Sequence, residues 1–239
     1  QMGHAGGIHS IAIHPGSGEI ATAGADGLIK LWKGAEMPRE LAGHSGAVLA
    51  VAFTPDGASV ISGGADASVR RWNVSDGAQV QVFSGHQGQI TGVNVSADSA
   101  TIVSSSLDKT IRIWTVANGE AKVLTQASPI IASDFLSEAN RIATTGEDLI
   151  TRIWDATTGR ELQRYPAAKA AAKAVRLTPL SPGFVAGDNE GNLTFGAISA
   201  QSIMLADEVK VHDLAVTPDG NHLVTCGEDK LAKLWNLKG

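Results

Sequence analysis

The stretch Gly43–Trp72, GHSGAVLAVAFTPDGASVISGGADASVRRW, carries the pattern that decides the fold. Short apolar segments alternate in it with turn-forming residues. Thr54–Gly57 (TPDG) has the composition of a tight reversal, because proline and glycine supply the backbone angles that such a turn needs. After a further turn, Gln79–Phe83 (QVQVF) alternates polar with apolar residues. The stretch and its continuation therefore predict four short antiparallel strands that form one small sheet.

The same pattern recurs along the whole chain. Successive copies are 40, 42, 40, 41 and 40 residues apart, measured between the aromatic residues that close the third predicted strand. Because one copy is too small to bury a core alone, the copies must stack. We predict an all-β, six-bladed β-propeller of four-stranded antiparallel blades, in a single domain over residues 1–239. The aromatic residues are Trp32, Trp72, Trp114, Trp154, Phe195 and Trp235.

Composition argues against several classes of function. The net charge is −5 and no basic stripe is visible, which speaks against nucleic-acid binding. No apolar run approaches the roughly 18 residues of a membrane span. Cys226 is the single cysteine, so an intrachain disulfide and a cysteine-rich metal site are excluded. We therefore expect no nucleic-acid partner, no membrane contact and no cofactor, and the sequence leaves the cellular location open.

The order of short motifs is similar to the WD-repeat β-propeller family. In the stretch above, the motifs are Gly43-His44, Thr54–Gly57 and Asp66, which lies six residues before Trp72. The resemblance covers essentially the whole chain; it is strong in repeats one, two, three and six, fair in four and poor in five. The alanine- and glycine-rich repeats with Thr-Pro-Asp-Gly turns resemble bacterial members of the family.

The resemblance implies a buried hydrogen-bond network that joins His, Asp, Ser or Thr, and Trp within a blade. A buried imidazole and carboxylate are costly unless they are paired, and the hydroxyl and the indole complete the pairing. We interpret these sets as structural and the chain as not an enzyme, because a hydrolase triad needs an exposed nucleophile beside an oxyanion hole. The predicted members are His4, Thr22, Asp26, Trp32; His44, Ser62, Asp66, Trp72; His86, Ser104, Asp108, Trp114; Thr144, Asp148, Trp154; and Thr225, Asp229, Trp235.

The later repeats depart from this network. Repeat four has Gln126 and repeat six has Asp207 where His is expected. In repeat five, Val185, Asn189 and Phe195 stand in for the hydroxyl, the carboxylate and the indole. We therefore expect the later repeats, and repeat five above all, to be less rigid.

The resemblance also implies that partners bind the narrow face around a central channel. We call rim positions the residues that flank the first apolar residue of the first strand and the residue that precedes the blade Asp. Leu49, Leu107 and Ile131 would form an apolar arc there, unless such residues merely pack the channel wall. The predicted function is a non-catalytic scaffold that binds a protein or peptide. The predicted rim residues are His9, Leu49, Gln89, Thr91, Leu107, Ile131, Glu147, Lys173, Asp188, Lys210, His212 and Glu228.

The alternative function is the propeller domain of a larger bacterial enzyme or redox protein. In it, a metal or small molecule would lie over the central channel. His9 and His212 would become neighbours in a closed ring, and Glu147 and Glu228 offer further polar groups. Two or three ligands without a spacing signature are a weak metal signal, so no metal is predicted.

The last repeat is predicted to lack its outer strand. Only four residues follow Trp235, which is too few for a strand that pairs along the blade. An unpaired edge strand invites addition of another strand, so we expect self-association through this edge. A fragment of a seven- or eight-bladed ring within a larger protein is the alternative to six blades that close alone.

Overall fold

The computed structural model describes residues 3–136, 138, 140–166, 170–178, 183–197, 200–206, 210–217 and 219–237. All regular secondary structure within these residues is β-strand. None of them forms a helix of the length and apolarity that crossing a membrane requires. The chain divides into two compact units, Gln1–Gln126 and Ala127–Gly239. Asp207 lies outside the described residues.

The first unit consists of three four-stranded antiparallel sheets. In each sheet the strands follow one another in chain order, so that every connection joins neighbours. Sheet one contains β1 (Ile8–Ile13), β2 (Ile20–Gly24), β3 (Leu28–Trp32) and β4 (Arg39–Ala42). Sheet two contains β5 (Val48–Phe53), β6 (Ser59–Gly64), β7 (Val69–Asn73) and β8 (Gln79–Phe83). Sheet three contains β9 (Ile90–Val95), β10 (Thr101–Ser106), β11 (Thr110–Thr115) and β12 (Ala121–Thr125).

The second unit contains two four-stranded sheets and one of three strands. Sheet four contains β13 (Ile130–Leu136), β14 (Arg141–Gly146), β15 (Ile150–Asp155) and β16 (Glu161–Pro166). Sheet five contains β17 (Ala172–Thr178), β18 (Gly183–Asp188), β19 (Asn192–Ala197) and β20 (Ala200–Ala206). Sheet six contains β21 (Val211–Val216), β22 (His222–Gly227) and β23 (Ala232–Asn236). The predicted all-β class, the antiparallel blades and the missing outer strand of the last blade are thus confirmed for the described residues.

Neighbouring sheets within a unit pack through a repeated set of apolar side chains. In sheet one, Ala23, Ile29 and Leu31 point towards sheet two and pack against Val51 and Trp72. We call the side of a sheet that faces the next sheet in the chain its back face, and the opposite side its front face. In the second unit, the back face of sheet four packs in the same way on the front face of sheet five. The core of each unit therefore lies between its sheets, as expected for small sheets that cannot bury a core alone.

Every first strand contains a β-bulge close to its start. In sheet two, Val48 pairs with Gly64 and Ala50 pairs with Gly63, so that Leu49 between them has no residue opposite it. A bulge leaves its extra residue out of the ladder and changes the direction of that side chain. Among the described strands, the bulged residues are His9, Leu49, Thr91, Ile131, Lys173 and His212.

The register of sheet five corrects the sequence-based alignment of the fifth repeat. In the other sheets, the tryptophan of the third strand pairs with the residue twelve positions earlier, as Trp72 does with Val60. In sheet five the pair with this spacing is Phe184 and Gly196. The predicted equivalence of Val185, Asn189 and Phe195 to the hydroxyl, carboxylate and indole residues is therefore wrong by one position. The equivalent residues are Ala186, Glu190 and Gly196.

Candidate interaction surface

The predicted networks of the first unit are hydrogen-bonded from end to end. In sheet two, Nδ1 of His44 lies 2.9 Å from Oδ1 of Asp66, and Nε2 lies 2.8 Å from Oγ of Ser62. The indole Nε1–H of Trp72 donates to the same Oγ at 2.8 Å. Because the ionised carboxylate only accepts, Nδ1 of the neutral ring carries the proton, and Nε2 accepts a hydrogen bond from the serine hydroxyl. The Ser62 hydroxyl therefore donates a hydrogen bond to His44 and accepts one from Trp72.

The networks of sheets one and three have the same geometry. In sheet one, the His4 ring lies 2.8 Å from Asp26 and 2.7 Å from Thr22, which accepts from Trp32 at 2.8 Å. In sheet three, His86 lies 2.8 Å from both Asp108 and Ser104. The hydroxyls of Thr22, Ser62 and Ser104 belong to residues that are at most 5% exposed. None of these three hydroxyls is placed to attack a substrate, because each is buried beneath an indole.

Electrostatics keep the carboxylates of Asp66 and Asp108 ionised and the imidazoles of His44 and His86 neutral near neutral pH. Desolvation raises the pKa of Asp108, but hydrogen bonds from Thr110, Gln87 and His86 outweigh it and lower the pKa to about 2. The same balance holds the pKa of Asp66 well below its ordinary value. Burial lowers the pKa of His86, against the raising effect of Asp108. Near neutral pH the pair is thus a carboxylate that accepts a hydrogen bond from a neutral ring.

In sheet four, the network aspartate is paired with an arginine. Nη1 of Arg152 donates to Oδ1 of Asp148 at 3.1 Å, and Nη2 donates to Oδ2. The Arg152 side chain is only 3% exposed and also approaches Glu161. The hydrogen bond from Arg152 lowers the pKa of Asp148, and Trp154 still donates to Thr144 at 3.0 Å. An arginine on the third strand therefore does for Asp148 what a histidine does for Asp66.

Sheet six keeps the indole bond and pairs its aspartate with lysine. Trp235 donates to Oγ1 of Thr225 at 2.9 Å. Nζ of Lys233 lies 2.9 Å from Oδ2 of Asp229, and this hydrogen bond lowers the pKa of Asp229. Lys233 and Arg152 occupy the same place, two residues before the tryptophan. Sheets four and six thus use a cation from their own third strand as the partner of the aspartate.

Asp188 is not a rim residue, contrary to the prediction. It is 4% exposed, and its Oδ1 accepts from the backbone N–H of Glu190 at 2.8 Å and of Asn192 at 2.9 Å. Its Oδ2 accepts from the side-chain amide of Asn192 at 2.9 Å. The carboxylate closes its own hairpin turn, because the register places it at the end of the second strand. Asn189, which is exposed, occupies the rim position of this sheet.

The other predicted rim residues lie at the bulges and at the turns beside them. The turn residue is joined to the residue before the first strand by a backbone hydrogen bond: Ala65 N–H donates to Ala47 at 2.8 Å, and Leu107 N–H donates to Gln89 at 3.0 Å. The bulge lies near the start of the first strand, and the turn follows the end of the second strand. Because these two strands are antiparallel, the bulge and the turn lie at the same end of each sheet. His9, Lys173 and His212 are exposed there, whereas Leu49, Thr91 and Ile131 are half-buried.

The two units differ in the charge of their rim positions. In the first unit these positions carry no acidic or basic residue apart from His9, and Leu107 is 38% exposed. In the second unit Lys210 donates to Glu228 at 2.8 Å, and this hydrogen bond lowers the pKa of Glu228. Glu147 is exposed in the same unit. The first unit therefore offers an uncharged surface and the second an acidic and basic one.

The described residues contain no candidate metal site near this surface. Among them, no three His, Cys, Asp or Glu side chains lie close enough together to hold a metal ion. His9 belongs to the first unit, and His212 and Glu228 belong to the second. The metal or small-molecule alternative stays a prediction.

Comparison with known proteins shows the family. The model of the family described as "WD domain, G-beta repeat" matches residues 1–33, 36–73, 77–115 and 203–236, which together exceed half of the chain. The chain belongs to the WD40 family. The unmatched residues between 115 and 203 include sheet four and most of sheet five, where the histidine or the third-strand indole of the network is replaced.

A curated relative gives a more distant match. The chain is 26% identical to human (Homo sapiens) WD repeat-containing protein 90 over 113 residues. The match covers 46% of this chain and 6% of that protein, so the chain spans a small part of the length of its relative. WD40 repeats in general suggest a protein-interaction scaffold.

Proposed function

We propose that the chain is a non-catalytic scaffold that binds a protein or peptide at its rim positions. The observation that carries this proposal is the bulge in each first strand, which releases one side chain per sheet from the ladder. Bulges are frequent at binding sites because they aim a side chain without disturbing the rest of the strand. The recurring motifs form buried contacts inside the sheets. The residue types at the rim positions, by contrast, differ from sheet to sheet.

The chemistry of the rim positions indicates the kind of partner. Leu49 and Leu107 in the first unit suit an apolar side chain, because the positions around them are small or uncharged. In the second unit, exposed Glu147 suits a basic side chain of the partner. The partner is thus a short segment with an apolar anchor and at least one Lys or Arg. This supports a peptide ligand rather than a nucleic acid or a membrane.

A peptide selection tests the proposal. Random peptides displayed on phage are selected for binding to the chain. The affinity of the selected peptides is then measured for the double variant Leu49→Glu/Leu107→Glu. The matched control is Val80→Glu/Val82→Glu, which places the same charges on exposed positions of strand β8, where Val80 is 54% and Val82 41% exposed. The selected peptides should lose affinity for the rim variant and keep it for the control. Equal binding to both variants contradicts the proposal.

Two further proposals concern the context of the chain. The 6% coverage of the human relative supports a WD-repeat domain within a longer protein, with 1–239 as one domain. Strand β23 is the outermost described strand of sheet six, and such an outer strand supports self-association by strand addition. Light scattering across a concentration series tests this association, and the mass of one chain at every concentration contradicts it.

A further inference from the structure

In sheets one, two and four, the third strand carries a cation two residues before the tryptophan, and the outer strand of the same sheet supplies an oxygen to it. In sheet one, Nζ of Lys30 donates to Oε1 of Glu40 at 2.7 Å. In sheet two, Nη1 of Arg70 donates to Oε1 of Gln79 at 2.6 Å. The buried arginine of sheet four approaches a glutamate of its own outer strand. A third-strand cation and an outer-strand oxygen thus form a recurring pair.

Arg112 is the corresponding cation of sheet three, and its outer strand carries no acceptor at the matching positions. Val123 lies directly opposite Arg112, at the position that Glu40 holds in sheet one. Ala121 lies opposite the tryptophan of the sheet, at the position that a glutamine holds in sheet two. Both acceptor positions of sheet three are therefore occupied by apolar side chains.

The guanidinium of Arg112 is left with an unused donor. Among the described residues, its one hydrogen bond runs from Nη2 to the carbonyl oxygen of Gly85 at 2.8 Å. Lys30 donates in the same way to Gly3 at 3.1 Å, in addition to its bond with Glu40. Nε of Arg112 is buried and has no acceptor within the described part of the chain. Because a buried donor without a partner lowers stability, sheet three lacks a stabilising contact that sheet one has.

The position of this guanidinium is fixed by its surroundings. Cζ of Arg112 lies 5.6 Å from the centre of the Trp114 ring, a distance at which an aromatic ring attracts a cation. A methyl group on Gly85 would lie 2.6 Å from Nη1, so the glycine leaves the room that the arginine needs. Trp114 in turn packs against Phe83 of sheet two, with 5.5 Å between the ring centroids. The arginine is thus held in place before a ligand arrives, which lowers the cost of binding.

The position of the missing oxygen can be reached from solvent. Val123 is 44% exposed, and it shares a face with Arg112 because residues directly opposite one another in a sheet lie on the same side. Arg112 also shares this face with Trp114, two residues further along the strand. It is the front face of sheet three, which packs on sheet two within the first unit. The geometry of the site is therefore set inside one unit.

We propose that Arg112 binds an acidic side chain of a peptide partner, which lies over Val123 and supplies the oxygen that Glu40 supplies in sheet one. Arginine and a carboxylate form charge-assisted hydrogen bonds, which are about twice as strong as neutral ones. The site goes beyond the proposed function, because neither Arg112 nor Val123 is a rim position. It also differs in chemistry, since the peptide proposed for the rim positions carries a basic side chain.

The first experiment is a titration with a short capped peptide that has one glutamate between two valines, and with its glutamine counterpart. Because Nε of Arg112 is buried, the signal of its proton can be followed by ¹⁵N NMR. The glutamate peptide should shift this signal and bind about 10-fold more tightly than the glutamine peptide. Equal binding of the two peptides, or no binding of the glutamate peptide, overturns the proposal.

Two matched variants locate the contact. Val123→Glu should abolish binding of the glutamate peptide, because its own carboxylate takes the place offered to the ligand. Val82→Glu is the control, since Val82 lies opposite Arg70 and is 41% exposed. Arg70 already bonds to Gln79, so this variant should bind the peptide as the unmodified chain does. Loss of binding in both variants, or retention in both, overturns the proposal.

Urea unfolding of the same variants is a second test that needs no ligand. Val123→Glu should raise the denaturant midpoint, because the added carboxylate accepts from the unused donor of Arg112. The gain should disappear when Arg112→Met/Val123→Glu is compared with Arg112→Met, and Val82→Glu should give none. A midpoint that Val123→Glu lowers, or raises equally without Arg112, overturns the proposal. Leu49→Glu/Leu107→Glu should still bind the glutamate peptide, which separates this site from the rim positions.

Discussion

Phe184 lies across from Gly196 in sheet five, and its ring fills the space that a side chain on Gly196 would need. The other sheets have the reverse arrangement, with a tryptophan on the third strand and an aliphatic residue such as Val60 opposite it. Phe184 is 1% exposed and packs against Tyr165, with 4.8 Å between the ring centroids. Sheet five thus has an aromatic ring at the same level of the core as the other sheets, but the ring belongs to its second strand rather than to its third.

Gly196→Ala should destabilise the second unit. Its methyl group overlaps the Phe184 ring, and overpacking of a tight core costs about 1–3 kcal/mol. Urea unfolding followed by circular dichroism measures the change. Gly7→Ala is the matched control, because a methyl group there meets no atom within 4 Å and should change the free energy of unfolding by less than about 0.5 kcal/mol. Equal effects of the two substitutions would show that the ring can move aside.

Ser62→Ala should destabilise the first unit although it removes a single oxygen. The substitution leaves the Trp72 indole N–H and Nε2 of His44 buried without their partner, at a cost of about 1–3 kcal/mol. Ser75→Ala, on an exposed turn, is the control. The same urea titration compares them, and a change no larger than that of the control would mean that the network contributes little.

Stability should fall as the pH is lowered, in two stages with separate causes. Burial lowers the folded-state pKa values of His44 and His86, so the unfolded chain binds protons first below the ordinary value of 6.5. Lowered pKa values of Asp66 and Asp108 add a second loss below the ordinary value of 3.8. Unfolding free energies measured across the pH series should therefore be highest above the first value. His44→Gln/His86→Gln should flatten the first stage and also weaken the second, because hydrogen bonds from His44 and His86 help to lower the pKa values of Asp66 and Asp108; an unchanged first stage would contradict the assignment.

Arg152→Met should cost more than Arg70→Met. Arg152 is the principal charged partner of Asp148, whereas Asp66 beside Arg70 also has His44. Breaking a buried ion pair costs about 3–5 kcal/mol, and we expect about 1–3 kcal/mol here because Asp148 is 22% exposed. Arg152→Lys should recover part of the loss, since lysine keeps the charge but not the paired donors. Denaturant midpoints of the three variants test the order, and an equal loss for both Met variants would contradict it.

Backbone amides should exchange more slowly in sheets two and three than in sheet five. Sheet five has Ala186, Glu190 and Gly196 in place of the hydroxyl, carboxylate and indole, so that network is absent there. We expect a difference of ~10-fold, which corresponds to about 1.4 kcal/mol of opening free energy. Hydrogen exchange read by mass spectrometry over residues 59–73 and 183–197 measures it. Uniform protection would contradict the prediction.

The first unit was predictable because several groups must meet in one place. His44, Ser62, Asp66 and Trp72 form one network only at fixed spacings, and the same spacings recur in the neighbouring copies. An agreement among four residue types leaves little freedom of alignment. The strands between them then follow from apolar alternation and turn composition.

The fifth sheet escaped prediction because it was aligned on its aromatic residue. Phe195 is one position before the place of the tryptophan, and the error moved Asp188 from a buried turn to the rim. Glu190-Gly191 was the better signal: Gly191 has φ of 84°, as Gly27 after Asp26 has φ of 79°. The bulges were also invisible, since one extra residue leaves no mark in a short apolar segment.

The bulged residues differ from copy to copy, as His, Leu, Thr, Ile, Lys and His, while an apolar or alanine residue precedes each of them. Since the bulged residue has no partner across the strands, its identity contributes nothing to register, and its neighbour alone anchors the strand in the core. Under the proposed function, the residue that contacts the partner and the residue that anchors the strand in the core are therefore neighbours in the sequence. Substitution of one bulged residue per sheet would then change the partner that is bound, and the buried core residues would need no compensating substitution.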